Sequence, residues 1–100
     1  MAGAAISENH ERATELAGML KAMGHPVRLR IIAMLCEGDC TVSELTARLG
    51  VPQAVASQQL RILRMSRLVA VRRAKGFAHY SLGEPNLVRM IDCMQSCSVH

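Results

Sequence analysis

The run Thr41-Val42-Ser43-Glu44-Leu45-Thr46-Ala47-Arg48-Leu49-Gly50-Val51-Pro52-Gln53-Ala54-Val55-Ala56-Ser57-Gln58-Gln59-Leu60-Arg61-Ile62-Leu63-Arg64 decides the architecture of this chain. Thr41 with Glu44 three positions later is a capping-box pattern, in which the Thr hydroxyl satisfies the backbone ahead and the carboxylate reaches back. It opens a short helix to about Leu49, with Val42, Leu45 and Leu49 inward. Gly50-Val51 makes a tight turn, and Pro52 suits the first position of a further helix, because its ring pre-sets φ and its missing N–H would have no helical partner there. That helix is expected to run to about Arg67, with Val55, Ala56, Leu60 and Leu63 as its buried stripe. Two helices joined by a short turn containing Gly form a helix-turn-helix pattern.

Downstream, the apolar period changes from helical to alternating. Leu68 to Arg72 reads as a strand, Arg73-Ala74-Lys75-Gly76 as a turn, and Phe77 to Leu82 as the returning strand. Glu84-Pro85 begins a last helix with Leu87, Val88, Met90, Ile91 and Met94 on its apolar face. Upstream, Ala13, Leu16, Ala17, Leu20 and Met23 follow the stripe of a helix from Asn9 to Met23. Gly24-His25-Pro26 separates it from a second helix, Pro26 to about Cys36, that buries Val27, Ile31, Ile32 and Leu35. The expected fold is mainly α with a small β-hairpin: four helices, the hairpin and a fifth helix, a winged helix-turn-helix. Residues 1–8 are expected to be a flexible tail and residues 9–98 the DNA-binding and dimerisation domain.

Composition narrows the function. At 100 residues, half of them apolar, the chain can hold one core, but a thin one that oligomerisation would supplement. Its only aromatic residues are Phe77 and Tyr80, too few for the stacking platforms that bind single strands. The net charge of +4 conceals an asymmetry. From Leu45 to Gly83 there is no acid, while Arg48, Arg61, Arg64, Arg67, Arg72, Arg73 and Lys75 fall in that stretch. A basic run by itself is commonly a solvated face. Here it coincides with a helix carrying Gln53, Ala54, Ser57 and Gln58 opposite its buried stripe. Short polar side chains near a helix N-terminus can reach base edges in the major groove, and Gln can bond adenine bidentately. Arg61 and Arg64 on that helix, and Arg72, Arg73 and Lys75 on the hairpin, are placed to hold phosphates. The expected partner is double-stranded operator DNA.

The run from Leu20 to Ile31, Val42-Ser43-Glu44-Leu45, the block from Pro52 to Leu63 and the hairpin ending Tyr80-Ser81-Leu82 resemble the arsenical-resistance-repressor (ArsR/SmtB) family over residues 11–95. The resemblance implies a homodimeric winged-helix repressor, with the first and last helices at the dimer interface and an inducer that weakens operator binding. Two positions depart from the family pattern. Gln59 stands where many members have His beside the recognition serine, and Arg67 replaces the Gly that usually ends the recognition helix.

Four cysteines supply a candidate sensor. Cys36 and Cys40 straddle a helix end; Cys93 and Cys97, four apart in a helix, share one face. Reduced thiols in a cytosolic protein suggest redox or metal chemistry before structural disulfides. Two readings stand. One is a thiol switch at Cys36, Cys40, Cys93 and Cys97 responding to oxidants or reactive sulfur, with no cofactor required. The other is a site for a thiophilic ion, zinc or arsenite, held by the same four residues.

The resemblance does not supply the ligand set. The Cys-x-Cys of arsenic-responsive members falls at Thr41 and Ser43. The positions matching the zinc site of the last helix are Glu84, Asn86, Cys97 and His100, of which Asn86 is a poor ligand. In the sulfide- and persulfide-responsive branch, one Cys of the second helix pairs with one near the C-terminus. Cys36 lies one turn from the first position, and Cys97 just before the second. An enzyme, such as a thiol-disulfide oxidoreductase, is not expected, because the spacing is Cys-x-x-x-Cys and no βαβ pattern surrounds it. An interaction or metal-storage module on the same scaffold is disfavoured by the basic hairpin. With no apolar run of membrane length and no signal-type start, a cytoplasmic location without membrane contact is expected.

Overall fold

A computed structural model describes residues 5–98. After a single 3-10 turn at Ile6–Glu8, inside the expected tail, come α1 (His10–Met23), α2 (Pro26–Glu37), β1 (Cys40–Thr41), α3 (Val42–Leu49), α4 (Gln53–Met65), β2 (Val69–Ala74), β3 (Phe77–Leu82) and α5 (Leu87–Gln95). The helix starts are chemically marked. Asn9 accepts the Arg12 N–H, His25 Nδ1 accepts the Val27 N–H, and the Thr41–Glu44 capping box is complete in both directions. Gly50 closes α3 in the left-handed region (φ 69°), its N–H donating to the Thr46 carbonyl. Pro52 is the N-cap of α4 rather than its first residue, and its carbonyl receives the Val55 and Ala56 N–H groups.

The sheet is larger than expected. β1 pairs antiparallel with β3, Cys40 opposite Tyr80 and Thr41 opposite His79, so the order is β1-β3-β2. A two-residue strand is too short to show alternation, and Thr41 serves at once as strand and as helix cap (φ −83°, ψ 165°). β2 also runs two residues past its expected end. The turn is Lys75-Gly76 alone, both at positive φ (53° and 80°), which matches the twist of a two-residue hairpin. Arg73, expected in the turn, is a strand residue paired with Ala78. At the other end, Glu84-Pro85 form a turn before α5 rather than its first residues.

The core is aliphatic. Ile31, Ile32, Leu45, Leu60, Leu63 and Leu87 are fully enclosed, with Met34, Leu35, Leu49, Ala56, Leu68, Val69 and Ile91 around them. Of the stripe expected of α1, only Met23 joins it. Only Ala22 and Met23, in its last turn, are buried, while Leu20 is 52% exposed and Leu16 half-buried. Val88 and Met94 of α5 are likewise exposed. A helix that touches its own domain through one end leaves an apolar stripe uncovered, and such a stripe loses its hydrophobic stabilisation unless another surface meets it.

Candidate DNA-reading surface and thiol positions

On α4, the buried positions Ala56, Leu60 and Leu63 fix the orientation of the helix. Gln53, Ala54, Ser57, Gln58, Arg61 and Arg64 then fall on the opposite, exposed face. α3 holds α4 in place through its buried Leu45 and Leu49, and Arg30 of α2 donates to the Arg48 and Leu49 carbonyls at 3.3 and 3.5 Å, satisfying the C-terminal end of α3. Among the described residues, none of the polar or basic side chains on the exposed face of α4 is engaged in an intramolecular ion pair or hydrogen bond. The same holds for Arg72, Arg73 and Lys75, all exposed.

The register of the hairpin separates the two arginines. Arg72 pairs with His79 and Arg73 with Ala78, and successive strand residues point to opposite faces. Arg72 therefore shares a face with Ala70, Ala74, Phe77 and His79. Arg73 shares the other with Val69, Val71 and Tyr80, where the sheet covers the core. The alternation was readable in the sequence; placing Arg73 in the turn hid it. Arg48, included in the acid-free run, is paired to Glu37 at 3.0 Å, so it is the one member tied to an acid.

Both departures from the family pattern have a structural outcome. Gln59 is half-buried and turned toward α2, where its Oε1 accepts from Arg28 Nη1 at 2.8 Å. The same guanidinium donates through Nε to the Ala22 carbonyl at the end of α1. Arg67 takes the left-handed conformation that a Gly would adopt without strain (φ 61°). The path from α4 into β2 is thus preserved, at a conformational cost.

The cysteines divide into two environments. Cys40 is buried in β1, its Sγ donating to the Gly38 carbonyl at 3.5 Å, and Cys36 is half-buried near the end of α2. Burial pushes both thiols above the ordinary range, reinforced at Cys36 by Asp92 and Glu37 and at Cys40 mainly by Glu44. Cys93 and Cys97 are both exposed, Cys93 on the side of α5 away from the buried Leu87 and Ile91. Cys97, expected on the same helix face, falls two residues past the helix end at Gln95, its thiol contacting the Cys93 carbonyl at 3.6 Å. All four are free. Among the described residues no three Cys, His, Asp or Glu side chains come together as metal ligands, and His100 lies outside the described residues. No described helix is long and apolar enough to cross a membrane.

Residues 25–71 match the family model for bacterial regulatory proteins of the arsR family. The chain is 38% identical over 84 residues to the biofilm growth-associated repressor of Xylella fastidiosa, a match covering 84% of this chain and 74% of that protein. The crystal structure of that organism's repressor BigR superposes with a TM-score of 0.82 at 34% identity, covering 96% of this chain and all of the other. Reduced HlyU from Vibrio cholerae gives 0.82 at 30% identity, covering 91% and 96%. The homodimeric winged helix-turn-helix DNA-binding domain of Mb0332 from Mycobacterium bovis gives 0.77 at 25% identity, covering 95% and 87%. With a reading helix held outward by α3, a hairpin wing beside it and these relatives, the chain belongs to the arsR family of bacterial regulatory proteins, winged helix-turn-helix regulators that act on DNA.

Proposed function

We propose that the chain is a homodimeric transcriptional repressor of the cytoplasm, without catalytic activity, that is released from its operator by oxidation of its thiols. The observation that carries the DNA reading is the continuous exposed surface of α4 and the wing, in which unpaired polar and basic side chains stand without a single acid. Gln53, Ala54, Ser57 and Gln58 meet base edges in the major groove. Arg61, Arg64, Arg72, Arg73 and Lys75 meet phosphates. The uncovered apolar residues of α1 and α5 support the dimer, which places two reading helices on two half-sites. Selection of duplexes from a random-sequence pool tests this directly. A two-fold-symmetric sequence bound with a steep inverse salt dependence is expected; no enriched sequence would overturn it.

The difference in exposure among the thiols supports the switch. An oxidant such as a hydroperoxide, ROOH, reaches Cys93 or Cys97 first. The thiolate attacks one peroxide oxygen, the O–O bond breaks, and the leaving alkoxide takes a proton from solvent, giving a sulfenic acid and ROH; a second thiol then displaces water to form the disulfide. If that second thiol is Cys36, Cys97, two residues past the end of α5, is drawn toward α2, and the closure would pull on the end of α5 and repack it. Because α5 carries exposed apolar residues assigned to the dimer, this repacking would alter the spacing of the two reading helices. No cofactor is required. Peptide mapping after hydroperoxide or polysulfide treatment, paired with DNA binding, tests the switch: Cys36→Ser or Cys97→Ser should retain binding and lose release. Retained release in both would exclude this pair.

A further inference from the structure

Phe77 is the chain's only phenylalanine, and it is 64% exposed at the far end of the wing, the first residue of β3. On its own face of the ribbon the ring has Ala74 opposite and Arg72 and His79 one step behind. Beyond it lies only the turn Lys75-Gly76, so the ring is bordered on the body side and left exposed toward the tip. The turn carries a second peculiarity. Lys75 holds a left-handed conformation (φ 53°) in which Asn, Asp or Gly would sit with less strain, so a cation is kept at the tip against backbone preference. The tip therefore combines a projecting aromatic ring with Lys75 beside it and Arg72 and Arg73 behind it, in a stretch free of acids. A lone exposed apolar side chain is ordinary on a protein surface. A ring on a narrow, cationic two-stranded ribbon is placed differently. The positive charge draws the tip to phosphates, and an apolar group between phosphate contacts faces the sugars and base steps of the minor groove, where such wedges partly unstack bases.

We infer that Phe77 is an apolar wedge that enters the minor groove flanking the half-site read by α4, so that the wing discriminates among flanking base steps by how readily they open. This rests on the assignment of the wing to DNA, and flexible pyrimidine–purine steps are the sequences it favours. The effect on affinity is about tenfold, as expected for loss of one base-directed aromatic contact.

The test uses full-length protein and a duplex selected from a random pool by the wild-type chain, with 2-aminopurine placed in turn at each flanking position. Wild type should raise the 2-aminopurine fluorescence at one flanking step on each side. Phe77→Ala should abolish that rise and weaken binding about tenfold with the salt slope unchanged, while Phe77→Leu keeps most of both. Lys75→Ala separates the two ideas, since it should lower the salt slope by about one contact. If Lys75→Ala lowers the slope but Phe77→Ala changes neither affinity nor fluorescence, the wing touches DNA and the wedge is overturned. If neither substitution has any effect, the wing is not on DNA and both assignments fall. Equal unfolding midpoints of the variants and wild type establish that the exposed positions leave the fold intact.

Discussion

Arg28 on α2 donates from Nη1 to Oε1 of Gln59 on α4 at 2.8 Å, and through Nε the same side chain holds the last turn of α1 at the Ala22 carbonyl. One guanidinium thus links the helix with the uncovered apolar stripe to the helix that carries the exposed reading face. Gln59 is thereby taken out of the set of side chains available to bases, although it adjoins Gln58.

Replacing Gln59 by Leu should therefore lower stability by about 1 kcal/mol while leaving the selected DNA sequence unchanged. Gln58→Ala should do the reverse, with little effect on stability and a relaxed preference at one base pair. Denaturant midpoints together with sequence selection distinguish the two. A changed base preference in the Gln59 variant would place that side chain at the DNA after all.

The opposite orientations of Arg72 and Arg73 lead to an additivity test. Residues that reach different phosphates each remove about one unit from the salt slope when changed to Ala, and the double variant removes the sum. Two arginines sharing one phosphate would give a double variant little weaker than either single one. Salt titrations of the four proteins decide between these outcomes.

Gly83 lies against the turn from α4 into β2. Its N–H donates to the Leu68 carbonyl at 2.8 Å, and a Cβ there would overlap the Arg67 carbonyl oxygen and stand 3.2 Å from the carbonyl carbons of Arg67 and Leu68. Gly83→Ala should cost about 1–3 kcal/mol, because backbone has to move. Arg67→Gly should act oppositely. Relief of the left-handed strain, about 1–2 kcal/mol, exceeds the added unfolded-state entropy and leaves a net gain of about 0.5–1 kcal/mol. Thermal or denaturant unfolding checks both signs.

Alkylation by iodoacetamide should modify Cys93 and Cys97 first, with Cys36 and Cys40 lagging. The reaction profiles of Cys36 and Cys40 should be displaced to higher pH, since burial and neighbouring carboxylates hold those thiols protonated. Asp92→Asn should move the Cys36 profile down and leave that of Cys40 in place. A folded-state pKa raised above the unfolded value gives stability that is present below the ordinary thiol pKa and lost as pH rises through the folded one. The fold should accordingly weaken on the alkaline side, and Cys36→Ala should reduce that dependence. Mass spectrometry across a pH series measures the first effect and unfolding across the same series the second.

Elements marked by local chemistry were legible in the sequence. The capping box at Thr41–Glu44, the Gly50 turn and the stripe Ala56, Leu60 and Leu63 place α3 and α4 and turn Gln53, Ser57 and Gln58 outward, as the fold has them. Features dependent on long-range partners were not. β1 exists because Tyr80 and His79 lie beside Cys40 and Thr41, and nothing within two residues announces that. The apolar stripe of α1 was legible as a helix face, but its exposure in the single chain was not, since periodicity marks an apolar face without saying which surface covers it. Gln59 and Arg28 meet across thirty-one positions, a contact that no local pattern encodes.

The short strand β1 has a mechanical consequence. Thr41 is joined to the wing at His79 and simultaneously begins α3, which braces the reading helix. Wing and reading helix therefore move as the two arms of one caliper, with an opening set by a backbone ladder and not by a flexible hinge. Such a tool gauges distance along a duplex. On the proposed docking, a base pair inserted between the step assigned to the wing and the bases assigned to α4 would displace one from the other by about 3.4 Å and rotate it around the helix axis, against the resistance of that ladder.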